Sequence, residues 1–324
     1  MLIFTNPHLL PTVLLCLFVT SSNFRSVDGS RDYVKVAKHS RRQIVVEPTV
    51  LSLITKRFNN IVVFGDSNCD NGNAYKLTNG KIPPNPPYSH SFTNGNVWDQ
   101  YLVGFTGWDM SNYAYASATS NSTFAQGYVG PNRLPVPGIV QQVQDLYLPT
   151  LKGHGRYDRT LFMFWLQGND FFDNHNTQPS AVVDNLINSI DILVRNGRSD
   201  NSTWTAEIPL FETDFITRFT TSSRREELRD FQNVPFTRHS VPNAITVEYN
   251  QALEAGIQTY RKTHPKSNIV SFPTDEVWAD LRSNASLRIL GINDPDDPCV
   301  TTDNNTSHVV SQCKDPRKRF YWDW

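Results

Sequence analysis

A serine that could act as a nucleophile, Ser67, lies shortly after an apolar run. The run at 61–64, Ile-Val-Val-Phe, leads into Gly65-Asp66-Ser67. A β-branched run that is apolar on both faces predicts a buried parallel strand, and a tight turn after it would expose the serine hydroxyl. A helix that follows such a turn brings backbone N–H groups and its positive dipole end to the hydroxyl. A plain surface turn fits the same three residues, so both interpretations stay open at this point.

A second polar turn, Gly168-Asn169-Asp170, ends another apolar run, at 161–166. A carboxamide at such a place can donate a hydrogen bond to the oxyanion that forms when a nucleophile attacks a carbonyl group. The sequence therefore makes Asn169 a candidate donor beside Ser67. An ordinary Asn-Asp turn is the alternative.

The elements that would position these residues alternate between strands and helices. Short apolar runs predict strands, and apolar residues at helical spacing predict helices. The pattern favours one α/β domain with a parallel sheet covered on both faces, and polar residues at strand ends mark where such sheets place their sites. Strands are predicted at 61–64, 161–166, 205–210 and 268–272, helices at 181–194 and 244–260, and an irregular, proline-rich surface loop at 80–100.

Composition excludes several classes of protein. The chain has 324 residues, with 30 Lys and Arg against 31 Asp and Glu, which gives a net charge of −1. A near-neutral chain lacks the basic face that nucleic-acid binding needs, so no nucleic-acid partner is expected. Its 39% hydrophobic content excludes a wholly disordered chain. Four cysteines are too few for a disulfide scaffold, and no Cys or His cluster has the spacing of metal ligands.

The N-terminus indicates secretion. The apolar run at 9–20 has the length of a signal-peptide core and precedes small residues, so residues 1–22 are expected to be a signal peptide. The run is shorter than a membrane span, and a membrane anchor is the alternative that it makes less favourable. Residues 23–55 are an N-terminal extension, in which the dibasic pair Arg41-Arg42 is either a processing site or part of a solvated charged segment. The predicted domain occupies 56–324.

Two further features agree with an oxidising, extracellular compartment. Cys299 and Cys313 bracket a polar loop and could close it as a disulfide, whereas Cys16 would leave with the signal peptide and Cys69 would stay unpaired. Asn-x-Ser/Thr sequences make candidate glycosylation sites. They lie at Asn121, Asn201, Asn284, Asn304 and Asn305.

At this point the chain resembles the GDSL, or SGNH, hydrolase family. The stretch 64–73 is similar to the family's first block, with Asn68 in place of the leucine of the family name. The stretch 92–98 is similar to its Phe-Ser-Asn-Gly segment, 112–119 falls where its second block stands, and 168–170 matches its third. The four matches follow the family's order, and together they are far more specific than any one of them.

The resemblance implies a flavodoxin-like three-layer α/β/α sandwich and a serine esterase without a cofactor. Ser67 would be the nucleophile. The oxyanion hole would combine the Ser67 backbone N–H, a backbone N–H from the second block and the Asn169 side chain. The second-block residue is Ser117 where the family usually has glycine, so a site shaped for glycine would be tighter or strained there.

The family's last block, Asp-x-x-His, supplies the acid and the base of the triad. Tyr-Trp-Asp at 321–323 resembles the residues before that histidine, which makes Asp323 the expected acid. The histidine would fall two residues beyond Trp324, and none of the chain's eight histidines has an aspartate three positions before it. Two alternatives follow. The sequence is a fragment of an active enzyme and also lacks the last helix, or the protein is a non-catalytic relative.

The first block and the leader are most similar to those of fungal secreted carbohydrate acetylesterases. The resemblance therefore implies a secreted esterase that removes acetyl groups from plant-wall carbohydrate. Lipid or phospholipid esters are the alternative substrates, and a glycan-binding pseudoenzyme is the alternative from another class. The expected partner is a small ester or an acetylated carbohydrate, with no metal, no stable membrane anchor and a monomeric state.

Overall fold

A computed structural model describes residues 58–151, 159–166, 168–172, 176–196, 207–211, 243–265, 268–272, 283–302 and 309–321. The strands are β1 (Asn60–Phe64), β2 (Asp109–Asn112), β3 (Gly127–Val129), β4 (Leu134–Val136), β5 (Thr160–Trp165), β6 (Glu207–Phe211), β7 (Asn268–Phe272), β8 (Asp294–Pro298), β9 (Val300–Thr302), β10 (Val309–Gln312) and β11 (Arg319–Tyr321). The helices are α1 (Asn73–Leu77), α2 (Trp98–Thr106), α3 (Ile139–Gln141), α4 (Asn169–Phe172), α5 (Pro179–Asn196), α6 (Asn243–Thr263) and α7 (Asn284–Leu290). Helix α3 continues as a π-helical segment (Gln142–Tyr147) and a 3-10 turn (Leu148–Leu151), and a second 3-10 turn covers Pro316–Lys318.

Five parallel strands form the central sheet, in the order β2-β1-β5-β6-β7. Counted along the chain as the five strands of this sheet, the order is 2-1-3-4-5, which is the flavodoxin-like arrangement. The predicted strands at 61–64, 161–166, 205–210 and 268–272 correspond to β1, β5, β6 and β7. Strand β2 was missed because its sequence, Asp-Met-Ser-Asn, carries no apolar run at the edge of the sheet.

Helices cover both faces of the sheet, because successive side chains of β1 and β5 point in opposite directions. Val62 and Phe64 belong to a buried cluster that contains the apolar sides of α5 and α6. Ile61 and Val63 belong to another cluster, which contains Trp98 of α2. The three layers confirm the predicted α/β sandwich, and the apolar faces predicted for 181–194 and 244–260 lie against the sheet.

One predicted region differs. The loop expected at 80–100 ends earlier, since α2 begins at Trp98, where the Gln100 side chain accepts the Val97 N–H at 2.9 Å. Helix α2 begins there because this hydrogen bond satisfies the N–H group of the residue that precedes the helix, while the Trp98 side chain enters the core. The loop is also not entirely on the surface, because Tyr88 and Thr93 are buried.

Candidate active site

The candidate site lies at the edge of the sheet that is formed by the carboxyl ends of its strands, beyond β1 and β5. From β1 the sheet extends through β2 on one side and through β5, β6 and β7 on the other. Doubly wound sheets bind ligands outside the carboxyl ends of strands at such a switch point. Ser67 follows β1 after two residues, and Asn169 begins α4 shortly after β5. The topology therefore brings the two predicted site residues to one place.

A tight turn presents Ser67 after β1. A Cβ atom at Gly65 would lie 2.9 Å from the carbonyl oxygen of Trp165, so a glycine is needed for β1 to pass β5 at this point. The Asp66 carboxylate accepts hydrogen bonds from the Asn68 backbone N–H at 3.0 Å and from its side chain at 2.9 Å. Ser67 is thereby held half-buried at the turn, and Asn68 has a local role in place of the family's leucine.

Asp70 joins the first block to the second. Its nearly buried carboxylate accepts hydrogen bonds from the N–H groups of Gly72, Asn73 and Ala74 at 2.9, 2.6 and 3.0 Å, which begin α1. It also accepts the Ala116 N–H at 2.8 Å. Burial raises the pKa of the Asp70 carboxyl, and these N–H groups act in the opposite direction. The segment next to Ser117 is thus fixed to the turn that carries Ser67.

Asn169 and Asp170 join the third block to the second. The Asn169 carboxamide donates to the carbonyl oxygen of Ala118 at 2.7 Å, which uses one of its two N–H bonds and leaves the other for an oxyanion. The Asp170 carboxylate accepts the N–H of Ser120 at 2.9 Å and its hydroxyl at 2.6 Å. Burial raises the pKa of Asp170 to about 6, although both bonds from Ser120 lower it.

The backbone N–H groups of Ser67 and Ser117 have no acceptor among the described residues. The N–H groups of neighbouring residues are hydrogen-bonded: those of Asn68, Ala116 and Ala118 donate to Asp66, Asp70 and Tyr115, respectively. Buried or half-buried N–H groups are rarely left unbonded unless a ligand or water takes them. Both N–H groups that the family resemblance assigns to the oxyanion hole are therefore available to a substrate oxygen.

Ser117 has φ 63°, in the left-handed region that favours glycine. The backbone thus keeps the conformation expected of the family's glycine at this position, with a serine in its place. The expected strain is present, and the N–H that would donate to the oxyanion is retained.

A buried polar cluster beneath the turn was not predicted. The Asn112 carboxamide donates to the Cys69 carbonyl and to the Asp99 carboxylate, both at 2.7 Å. Trp98 donates its indole N–H to the Cys69 sulfur at 3.3 Å. Burial raises the pKa of Asp99 and of the Cys69 thiol well above their usual ranges, and the second Asp99 oxygen has no hydrogen-bond partner among the described residues. No spacing in the sequence signals this cluster, because its members come from separate blocks.

The triad acid and base cannot be placed on this geometry. Asp323 lies outside the described residues, and the described histidines are His90 and His264. The ring of the exposed His90 lies 4.5 Å from that of Tyr75. His264 follows the carboxyl end of α6, which precedes β7 and so meets the opposite edge of the sheet. Neither ring is hydrogen-bonded to Ser67.

Cys299 and Cys313 form a disulfide with an S–S distance of 2.06 Å, and Cys69 is free and buried. Of the candidate glycosylation sites, Asn121 is half-buried and Asn284 is exposed. The signal peptide and the N-terminal extension lie outside the described residues, as do the sites at Asn201, Asn304 and Asn305.

Over the described ranges, no three His, Cys, Asp or Glu side chains group together as metal ligands would. None of the helices in that part of the chain has the length and apolar character needed to cross a membrane.

Two curated proteins resemble the chain at modest identity. The phosphatidylcholine-sterol acyltransferase of Aeromonas hydrophila is 25% identical over 247 residues, which are 75% of this chain and 65% of that protein. The thermolabile hemolysin of Vibrio parahaemolyticus serotype O3:K6 (strain RIMD 2210633) is 23% identical over 282 residues, 82% of this chain and 59% of that protein. The chain thus spans less than two thirds of the length of either relative.

Solved structures with a similar arrangement include a lipolytic protein of the G-D-S-L family from Veillonella parvula DSM 2008. It has 13% identity and a TM-score of 0.38, over 69% of this chain and 84% of that one. Est24, a carbohydrate acetylesterase from Sinorhizobium meliloti, has 12% identity and a TM-score of 0.37, over 78% of this chain and 91% of that one. The family model described as GDSL-like lipase/acylhydrolase matches residues 61–324, a span that contains Ser67, Ser117 and Asn169. The chain belongs to this family of lipases and acylhydrolases, which act on ester bonds.

Proposed function

We propose that the protein is a secreted serine esterase that removes acetyl groups from plant-wall carbohydrate through an acyl-enzyme on Ser67. One observation carries the esterase assignment. The free N–H groups of Ser67 and Ser117 and the half-used carboxamide of Asn169 belong to three blocks that hydrogen bonds hold together at the switch point of the sheet. Preorganised donors of this kind are what acyl transfer requires.

In the proposed reaction, the Ser67 Oγ attacks the ester carbonyl carbon while a base accepts the hydroxyl proton. The carbonyl oxygen gains negative charge and receives hydrogen bonds from the N–H groups of Ser67 and Ser117 and from Asn169. The C–O bond to the alcohol then breaks, and the base returns the proton to the leaving oxygen. A water molecule attacks the acyl-enzyme in the same way and releases the acid and free Ser67.

The base is a histidine in this proposal, and Asp323 orients it. The resemblance places that histidine three residues after Asp323. A serine hydroxyl without a base is a weak nucleophile, and loss of the triad histidine in a serine protease costs on the order of 10⁶ in kcat. The non-catalytic alternative therefore makes a clear, opposite prediction about turnover.

The substrate part of the proposal is supported by the first block and the leader, which resemble those of fungal secreted carbohydrate acetylesterases. Phospholipid esters are a second candidate. They are favoured by the Aeromonas hydrophila relative, whose name, phosphatidylcholine-sterol acyltransferase, includes a phospholipid. The two candidates differ in acyl length, so a series of esters distinguishes them.

The experiment is hydrolysis of 4-nitrophenyl acetate, octanoate and palmitate, and of acetylated xylan, by full-length protein that includes the histidine three residues after Asp323. We expect the unaltered protein to release acetate from the short ester and from xylan. Ser67→Ala should lose this activity. Ser180→Ala, which alters an exposed serine of α5, should keep it. Preference for palmitate would favour the lipid candidate. Equal traces in the unaltered protein and in Ser67→Ala would support the non-catalytic alternative.

Secretion is tested separately from catalysis. It is supported by the apolar run at 9–20, the candidate glycosylation sites and the Cys299–Cys313 disulfide, since disulfides persist in oxidising compartments. Expression of the full chain in a fungal host should deliver the protein to the medium with an N-terminus near residue 23. Retention in cells with an intact Met1 would contradict this.

A further inference from the structure

Gln142 is a fully buried glutamine whose side chain binds the backbone two residues before the nucleophile. Its Oε1 accepts the Gly65 N–H at 2.9 Å, and its Nε2 donates to the Gly65 carbonyl at 2.9 Å. The same Nε2 donates to the Pro137 carbonyl at 3.1 Å. Both N–H bonds of the carboxamide and its oxygen are therefore used, so only one orientation of the amide satisfies all three bonds.

This contact extends the sheet beyond its last paired residues. The paired register of β1 with β2 ends at Val63 and Asn112. The Gly65 carbonyl still accepts the Tyr115 N–H at 3.1 Å, and Gln142 supplies the acceptor for the Gly65 N–H. On its other side Gly65 lies against the Trp165 carbonyl. Gly65 is thus held from both sides at the point where the chain turns toward Ser67.

Gln142 itself has little freedom to move. Its backbone N–H donates to the Gly138 carbonyl at 2.8 Å, and the flanking Ile139 and Val143 belong to the buried cluster on the sheet. The segment that carries Gln142 is therefore fixed on the core. The side chain makes no hydrogen bond to Ser67, so any effect on the reaction passes through Gly65.

We propose that Gln142 is a positioning residue for Ser67: its carboxamide fixes Gly65 and thereby sets where the Ser67 hydroxyl and N–H stand relative to the second and third blocks. This inference rests on the proposed esterase function. A misplacement of reacting groups by 1 Å can reduce turnover about 100-fold, even when the altered residue touches no substrate. Loss of the hydrogen bonds between the Gln142 side chain and Gly65 should therefore lower kcat while leaving KM nearly unchanged.

Two substitutions separate the amide from the space that it fills. Gln142→Met keeps the length of the side chain and removes all three hydrogen bonds, whereas Gln142→Asn keeps the amide and shortens its reach. The matched controls are Gln144→Met and Gln144→Asn, because Gln144 is exposed in the same π-helical segment. For each full-length protein, kcat and KM on 4-nitrophenyl acetate, the melting temperature and the hydrogen exchange rate of the Gly65 amide are measured.

We expect both Gln142 variants to lose kcat by about 10- to 100-fold with KM within about twofold, and to exchange the Gly65 amide faster. The Gln144 variants should match the unaltered protein. A Gln142→Asn protein that melts earlier but keeps its kcat would overturn the inference, since Gln142 would then be structural only. An unaltered protein without esterase activity would instead overturn the proposed function. In that case, an unchanged hydrogen exchange rate of the Gly65 amide in Gln142→Met would also overturn the inference that Gln142 fixes Gly65.

Discussion

Gly127 packs so closely on Ser117 that a Cβ atom at Gly127 would lie 2.0 Å from the Ser117 carbonyl oxygen. The β3–β4 hairpin therefore lies directly against the segment that holds Ser117, whose N–H is the proposed second oxyanion donor. Val129 and Val136 of this hairpin share a buried cluster with Ala116. The conformation of Ser117 is consequently determined by the hairpin behind it as well as by Asp70.

Gly127→Ala should destabilise the protein, because the new methyl group meets backbone that cannot rotate away. Overpacking of this kind costs roughly 1–3 kcal/mol in the free energy of unfolding, and a shifted Ser117 should also lower kcat. The control is Gly104→Ala in α2, where an added Cβ meets nothing within 4 Å. That change should stabilise the protein by about 0.5–1 kcal/mol. Urea unfolding measures both, and equal stability of the two variants would contradict the close packing.

Ser117→Gly should stabilise the protein or leave it unchanged, because glycine adopts a positive φ without strain. The left-handed conformation costs other residues about 1–2 kcal/mol, part of which the greater freedom of glycine in the unfolded chain offsets, at about 0.5–1 kcal/mol. Ser117→Ala keeps the N–H and should keep kcat within about twofold if only the backbone donates. A tenfold loss of kcat in Ser117→Ala would show instead that the hydroxyl takes part.

Asn169→Ala removes the side-chain donor of the proposed oxyanion hole. Loss of one such donor lowers kcat by about 10²–10³ in a serine protease, and KM should change little because the bond strengthens in the transition state. The control Asn132→Ala alters an exposed asparagine in the turn between β3 and β4 and should leave both constants unchanged. Steady-state kinetics on 4-nitrophenyl acetate give kcat and KM for both variants and for the unaltered protein. A raised KM with an unchanged kcat would assign Asn169 to substrate binding alone.

The central sheet could be predicted where strands are apolar on both faces. Runs at 61–64 and 161–166 are buried on both sides by helices, so their sequences contain no polar interruption. Strand β2 has one neighbour and a polar sequence, so its pairing depends on β1 rather than on its own residues. The start of α2 was hidden for a related reason: its signal is a single hydrogen bond from the Val97 N–H to the Gln100 side chain, directly after a proline-rich loop.

The candidate site could be predicted only as separate blocks. Ser67, Ser117 and Asn169 were assigned through resemblance to family motifs, which are local in sequence. The bonds that assemble them are not local, since Asp70 and Ala116 are 46 positions apart and Gly65 and Gln142 are 77 positions apart. A buried glutamine has no spacing pattern that would distinguish it from its exposed neighbours. Such partners become visible only when the topology brings the strands together.

The raised pKa of Asp170 predicts how stability changes with pH. Its pKa is about 6 in the folded protein against an ordinary value of 3.8, so between these values the folded state binds more protons than the unfolded state. The contribution of this group to stability is therefore greatest at low pH and is lost as pH rises toward 6. Linkage over such a shift amounts to about 3 kcal/mol at most, as an order of magnitude.

Asp170→Asn removes this titration, so the comparison with the unaltered protein isolates it. The difference in unfolding free energy should move in favour of the variant between pH 4 and pH 7, whatever its value at pH 4. Asp145→Asn, at an exposed position of the π-helical segment, provides the control. Urea unfolding at several pH values gives the measurement. A difference that does not depend on pH would mean that Asp170 titrates normally in the folded protein.

Asn121 and Asn284 should differ as glycosylation sites. The Asn121 carboxamide oxygen accepts the Thr123 N–H at 2.9 Å and the Gln141 side chain at 3.0 Å, and its nitrogen donates to Asn185 at 3.2 Å. A glycan would be attached to that nitrogen, beside Asn185, whereas Asn284 is exposed at the start of α7. In protein made through a secretory pathway, mass spectrometry of glycopeptides should find Asn284 occupied and Asn121 unmodified. Equal occupancy would contradict the structural role of Asn121.

Two substitutions that remove the same glycosylation sequence separate this role from any effect of a glycan. Asn121→Ala deletes the three hydrogen bonds and should lower the free energy of unfolding by about 1–3 kcal/mol, because it leaves partly buried partners unpaired. Thr123→Ala keeps the carboxamide and changes an exposed side chain, so a difference within about 0.5 kcal/mol is expected. Because neither variant can carry a glycan at position 121, the difference in their melting curves reports the hydrogen bonds of Asn121 alone. Equal losses in the two would indicate that a glycan at Asn121, and not its hydrogen bonds, stabilises the second block.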